Sequence, residues 1–147
     1  MTELQLTELA TKVVEKLKKE NKTLGLAESC TGGWLSKIIT DVSGASSVYL
    51  GGICSYSNTV KMNLLGVNEE TLKLYGAVSE QTAREMAIGA RKALGSDIGV
   101  GITGIAGPLS DSTNKSVGLI YVAVAYGDTV TVKQLNNKFT EIGRAHV

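Results

Sequence analysis

Ala27-Glu28-Ser29-Cys30-Thr31-Gly32-Gly33 stands between a short, mostly apolar run, Thr23-Leu24-Gly25-Leu26-Ala27, and residues 34–42, where apolar positions resume helical spacing. The order is strand, polar glycine turn, helix, the opening unit of an α/β fold. At such a junction the unpaired N–H groups of the first helical turn meet the positive end of the helix dipole, so the turn is expected to hold an anion or stabilise an oxyanion. Gly32 and Gly33 let a ligand approach the backbone, while Ser29, Cys30 and Thr31 offer a nucleophile or hydroxyl donors. On spacing alone, a plain helix cap beside a glycine bend is the commoner reading.

N-terminal to this turn, Leu6, Leu9, Ala10, Val13, Val14 and Leu17 recur at helical spacing behind Thr2 and Gln5, a capping-box pair, which predicts an amphipathic helix over residues 3–20. On the other side, residues 49–56 predict a second strand and residues 59–65 a short helix. Residues 69–74 predict another behind an Asn68 cap, and residues 80–94 a longer one capped by Ser79. Residues 98–105 and 119–126 are apolar and β-branched without strict alternation, as in strands buried on both faces. Residues 129–135 alternate more, and Gly127-Asp128 makes a tight hairpin into them. The expected architecture is three-layer α/β/α around a mixed, mostly parallel sheet, covered mainly by helices on both sides. Ser110-Asp111-Ser112-Thr113-Asn114-Lys115-Ser116 reads as a mobile surface loop.

Composition narrows the function classes. The 147 residues, 43% apolar and 20% charged, suit one globular domain. Fifteen basic against fourteen acidic residues leave a formal charge of +1, so no global field draws nucleic acid or an anionic membrane, and an anionic ligand must be held locally. Cys30 and Cys54 are too few for a disulfide framework, and Met1-Thr2-Glu3 does not begin a signal peptide; a cytoplasmic protein with reduced thiols is expected. No apolar run approaches the ~18–20 residues that span a bilayer.

Two further stretches carry candidate chemistry. Gly101-Ile102-Thr103-Gly104-Ile105-Ala106-Gly107-Pro108 lies at the end of a buried strand, where open α/β sheets place ligands. Its glycine spacing mimics a dinucleotide fingerprint, but Pro108 and a polar loop follow where a helix is required. A turn presenting Thr103 and backbone N–H groups, or a simple strand exit, fits the context. Ser55-Tyr56-Ser57-Asn58-Thr59-Val60-Lys61 leaves the second strand. Tyr56 could relay a proton, and Lys61 could act as a base for a serine if desolvation or a nearby cation lowers its pKa; taken alone, Lys61 reads as a surface charge. The single histidine, His146, lies beside the terminus, which sets aside Ser-His-Asp and metal schemes. Lysine is then the best available base for Ser29.

In this order the three stretches, with Gly76-Ala77-Val78-Ser79-Glu80 and Val117-Gly118, resemble the CinA C-terminal domain family, including its stand-alone nicotinamide mononucleotide deamidases (PncC-like). The likeness runs from about Leu4 to about Phe139. It implies an amidohydrolase that releases ammonia from nicotinamide mononucleotide, leaving nicotinate mononucleotide for NAD recycling, without metal or organic cofactor. Ser29 matches the family's nucleophile, Lys61 its base and Tyr56 an assisting residue. The resemblance places Glu28, Cys30, Thr31, Gly32, Gly33, Asn58, Thr103, Gly104, Ala106 and Gly107 around the substrate. It also implies a stand-alone homodimer with a small nucleotide substrate as its partner, rather than nucleic acid or membrane. An amide needs an activated nucleophile, an oxyanion site and an acid for the leaving amine, and these residues supply those parts. The alternatives are a catalytically silent nucleotide-phosphate binder linked to competence or DNA damage, and a deamidase of a related amide.

The chain departs from the family pattern twice. Leu109-Ser110-Asp111 and Ser116 replace a glycine-containing loop and a proline. Beyond Phe139 the family continues through a Gly-x-Arg motif into a final helix, whereas Ile142-Gly143-Arg144-Ala145-His146-Val147 is encodable by an in-frame sequencing-library adapter. Residues 1–139 are therefore expected to form the domain, lacking its terminal helix, and residues 140–147 to be a non-native tail. Arg144 is not assigned the family arginine's role.

Overall fold

The computed structural model describes residues 1–107 and 115–136. The expected tail at residues 140–147, and the expected loop apart from Lys115 and Ser116, lie outside them. Helix α1 (Glu3–Glu20) opens with the expected capping box, Thr2 and Gln5 each accepting from the other's backbone N–H, and closes on Asn21 in the left-handed region. It leads into β1 (Leu24–Glu28), buried along its whole length. Then come α2 (Trp34–Thr40), a 3₁₀ turn (Ala45–Ser47), β2 (Tyr49–Cys54), α3 (Asn58–Leu65), α4 (Glu69–Tyr75) and α5 (Glu80–Leu94). Strands β3 (Ile98–Gly104), β4 (Leu119–Tyr126) and β5 (Thr129–Asn136) complete the described chain. Each sequence-predicted element is present within two residues of its expected ends, and the 3₁₀ turn had no signal.

The strand order is β2-β1-β3-β4-β5. The sheet is mixed as expected, but the parallel share is smaller than expected: β1 pairs parallel with β2 and β3, while β4 runs antiparallel to both β3 and β5. For β4 and β5 the reason is connection length: Gly127-Asp128 is a two-residue link that allows only antiparallel pairing, whereas a parallel neighbour requires a long crossover.

Period-2 alternation along β1 divides the core into two layers. Leu24 and Leu26 point to the face where Ala10, Val14 and Leu17 of α1 and Ile39 of α2 are buried. Ala27 points to the other face, against Leu65 of α3 and Met86 and Ala90 of α5. Helix α5 also packs Ala83 and Ala87 on Ala123 and Ala125 of β4. This helix lies so close that a Cβ on Gly99 would stand 2.1 Å from the Ala87 carbonyl oxygen, and one on Gly101 2.6 Å from that of Ala83. Only glycine fits under it.

Two expectations are corrected. Strand β4 is buried on both faces only at its start, Leu119 and Ile120; Val124 is 36% exposed and Tyr126 48%, because α1 and α2 cover β1 and β3 and stop short of this end. Asn68 sits at the N-cap position of α4, but its side chain makes no cap bond. Glu85 of α5 does that work from across the layer, accepting from Asn68 N (2.8 Å), Asn68 Nδ2 (3.0 Å) and Thr71 Oγ1 (2.6 Å).

Candidate active site

The C-terminal ends of β1 and β3 open into a cleft of about 280 Å³ lined by Ser29, Cys30, Tyr56, Lys61, Ala77, Val78 and residues 103–107. This is the edge at which open α/β sheets bind ligands. Ser29 follows β1 directly; it shares the face of Ala27, and its N–H donates to Ile102 O at 3.1 Å. Its hydroxyl is thereby aimed at the layer that carries α3.

Lys61 arrives from that layer. Ser57 caps α3 by accepting from Val60 N at 3.2 Å, which fixes the helix start immediately after β2 and turns Lys61 inward. Its ammonium nitrogen lies 3.1 Å from Ser29 Oγ and 2.5 Å from Ser55 O. With 1% exposure, Lys61 is the largest fully buried side chain among the described residues, which overturns its reading as a surface charge. Burial disfavours the ammonium and pulls the pKa from 10.5 down to about 8, against the opposing influence of Cys30. A lysine so placed is partly unprotonated near neutral pH, the form that a general base for a serine hydroxyl requires.

The turn after Ser29 is corrected in another respect. The structure excludes Glu28 from the cleft: alternation sends its side chain to the α1–α2 face, where its carboxylate closes the start of α2. Oε1 accepts from Thr31 Oγ1 (2.7 Å) and Leu35 N (2.8 Å), and Oε2 from Ser36 N (3.0 Å) and Ser36 Oγ (2.7 Å). The positive end of α2, expected to hold a ligand's anion, is thus neutralised by the chain's own carboxylate. Thr31 serves that carboxylate, and Gly32 and Gly33 supply the left-handed backbone (φ 61° and 98°) that brings α2 round to it. None of the three lines the cleft, nor does Asn58, which begins α3 on the exposed side.

Of the sequence-predicted site, then, Ser29, Cys30, Tyr56, Lys61, Thr103, Gly104, Ala106 and Gly107 come together, and Glu28, Thr31, Gly32, Gly33 and Asn58 do not join them. Tyr56 is 74% exposed at the cleft mouth, and its hydroxyl has no hydrogen-bond partner among the described residues. Thr103 is buried and donates to Ala77 O at 2.7 Å. Ala77, Val78 and Ile105 also line the cleft without having been singled out as site residues; the signal was the Gly76-Ala77-Val78 run ahead of the Ser79 cap, which brings the chain past the end of β3. Among the described residues, no cluster of His, Cys, Asp or Glu is placed to hold a metal ion, and no helix is long and apolar enough to cross a membrane.

A family profile described as the CinA C-terminal domain matches residues 6–147. The chain belongs to the CinA C-terminal domain family. A CinA-like protein of Desulfovibrio desulfuricans is 49% identical over 132 residues, covering 90% of this chain and 31% of the relative. A CinA-like protein of Picosynechococcus is 57% identical over 109 residues, covering 74% and 26%. The chain thus spans about a third or less of the curated relatives it matches. Among solved structures, the competence/damage inducible protein CihA of Agrobacterium tumefaciens superposes with a TM-score of 0.91 at 34% identity, covering 95% of this chain and 86% of that one. A CinA superfamily protein of Escherichia coli gives 0.94 at 25% identity, covering 99% and 85%. These CinA structures share the α/β fold that brings Ser29 and Lys61 together here.

Proposed function

We propose that this domain is a Ser/Lys amidohydrolase that converts nicotinamide mononucleotide to nicotinate mononucleotide and ammonia. The supporting observation is the buried Lys61 ammonium nitrogen 3.1 Å from Ser29 Oγ. In the proposed cycle, neutral Lys61 takes the Ser29 proton as Oγ bonds to the carboxamide carbon. The resulting ammonium returns the proton to the leaving nitrogen, and ammonia departs as the C–N bond breaks. Water, deprotonated by the same lysine, then cleaves the acyl-serine and frees the carboxylate. Ser55 O steers the amine toward Ser29, and Tyr56 keeps, at the mouth, the assisting part that the family resemblance gives it. A homodimer in the cytoplasm remains part of this reading.

The test is ammonia release from nicotinamide mononucleotide by the purified protein without added metal, compared with Ser29→Ala. Release by the parent and loss of at least about a thousandfold in the variant is expected for removal of a nucleophile. Equal release by both would remove Ser29 from the mechanism, and ligand binding without any release would favour a silent nucleotide-phosphate binder.

A further inference from the structure

Thr103 stands at the end of β3, level with Ser29 beyond the end of β1. Ala27 pairs with Gly101 and Glu28 with Ile102, so the next step of the register sets Ser29 beside Thr103. Alternation turns both side chains to the face of Ala27 and Gly101, the one that α5 covers. Thr103 is nonetheless only 1% exposed. Its hydroxyl carries one proton, and that proton goes to Ala77 O at 2.7 Å. None is left to donate to a ligand. The family resemblance sets Thr103 around the substrate, whereas its hydrogen bond is directed at the chain's own backbone.

Ala77 and Val78 form one wall of the cleft and belong to the link between α4 and α5. Helix α4 buries no residue, so it cannot hold the wall in place by packing. Thr82 Oγ1 donates to Gly76 O at 2.7 Å, and Lys115 Nζ donates to Tyr75 O and Val78 O. Those donors lie on α5 and ahead of β4, and none reaches Ala77 O. The Thr103–Ala77 bond ties the wall directly to the sheet, at the strand position beside the nucleophile. An amide carbon must come within attack distance of Ser29 Oγ while the rest of the ligand lies against the wall, so the spacing between the two decides the fit. We propose that Thr103 is a positioning residue: by holding Ala77 O it sets the spacing between Ser29 and the cleft wall, and it acts on a ligand only through Ala77. The effect on turnover rests on the deamidase reading; the hold on the wall does not.

The experiment compares the full chain with Thr103→Val, which keeps the shape and loses the donor, and with Thr103→Ser, which keeps the donor. Amide hydrogen exchange of residues 76–78 is read by mass spectrometry, alongside steady-state ammonia release from nicotinamide mononucleotide. Without its donor Ala77 O loses its partner, and the link opens more often. Thr103→Val should speed exchange in residues 76–78 about tenfold and leave the middle of α5 unchanged. In turnover it should raise KM about tenfold and keep kcat within about threefold, with the pH midpoint of release unmoved, because Ser29 and Lys61 are untouched. Thr103→Ser should return exchange and KM to within about twofold of the parent. If Thr103→Val does not fold, Thr103→Ala carries the same expectations. A folded variant without the donor that exchanges as the parent does overturns the proposal and leaves the deamidase reading in place. Faster exchange at the parent's KM overturns it too. So does a fall in kcat at unchanged KM, which marks a hydroxyl acting on the reacting atoms, and so does a Thr103→Ser variant that restores nothing. Faster exchange in a protein that releases no ammonia keeps the hold on the wall and removes the deamidase reading.

Discussion

Replacing Lys61 by Met should stabilise the protein at neutral pH and destabilise it in strong base. The gap between 10.5 and about 8 corresponds to about 3 kcal/mol, which is the cost of keeping the ammonium folded. The sign follows from proton counting. Below pH 8 the lysine is charged in both states and the full cost is present. Between pH 8 and 10.5 the unfolded chain holds a proton that the folded chain has lost, so stability rises by up to about 1.4 kcal/mol per pH unit; above 10.5 the cost is gone. Met fills the same space without charge but removes the donor that serves Ser29 Oγ and Ser55 O, a loss of about 1 kcal/mol for each. The variant should therefore be more stable by about 1 kcal/mol at pH 7 and less stable by about 2 kcal/mol near pH 10.5, with the curves crossing near pH 9. Urea unfolding at half-unit pH intervals measures this directly. Parallel curves for parent and variant from pH 7 to 10 would refute the claim that Lys61 is a buried, strained cation.

Other outcomes follow from the same geometry. Ammonia release should increase with pH through a midpoint near 8, falling about tenfold per pH unit below about pH 7 as the base is protonated; a profile flat from pH 6 to 9 would exclude Lys61 as the base. Glu28→Gln, which replaces one of two charged acceptors at α2 by a donor, should cost about 2–3 kcal/mol in urea unfolding, and an unchanged midpoint would contradict its capping role. Gly99→Ala should force α5 off the sheet and cost at least about 1–3 kcal/mol, read from the melting temperature; a neutral result would mean that the helix can move away freely.

Local rules on the page of the sequence were enough for the elements: the Thr2–Gln5 box, the Ser79 cap and the Gly127-Asp128 link each act within a few residues. The site was legible where chain order delivers it, because Ser29 and Thr103 both stand at strand exits. Lys61 was harder. Helical spacing tells which side of α3 it occupies but not which layer α3 joins, and that choice turns a surface charge into a buried amine. Glu28 was misassigned for a different reason: proximity to Ser29 in sequence was taken for proximity in space. The alternation of Leu24, Leu26 and Glu28 against Ala27 and Ser29 already separated the two faces. Glu85 in place of Asn68, and Thr103 holding Ala77 on the wall of the cleft, depend on contacts between elements distant in the chain, and no short pattern encodes those.

The Ser29–Lys61 pair is assembled across a layer boundary, the hydroxyl on the sheet and the amine on an eight-residue helix anchored through Leu65. Chemical competence therefore requires the docked helix as well as the sheet. A polypeptide whose sheet has formed but whose α3 has not yet docked carries an ordinary, unreactive serine, and any loosening of that helix returns it to this state. Labelling of Ser29 by a serine-directed electrophile thus reports the docking of one short helix, separating maturation of the site from completion of the sheet.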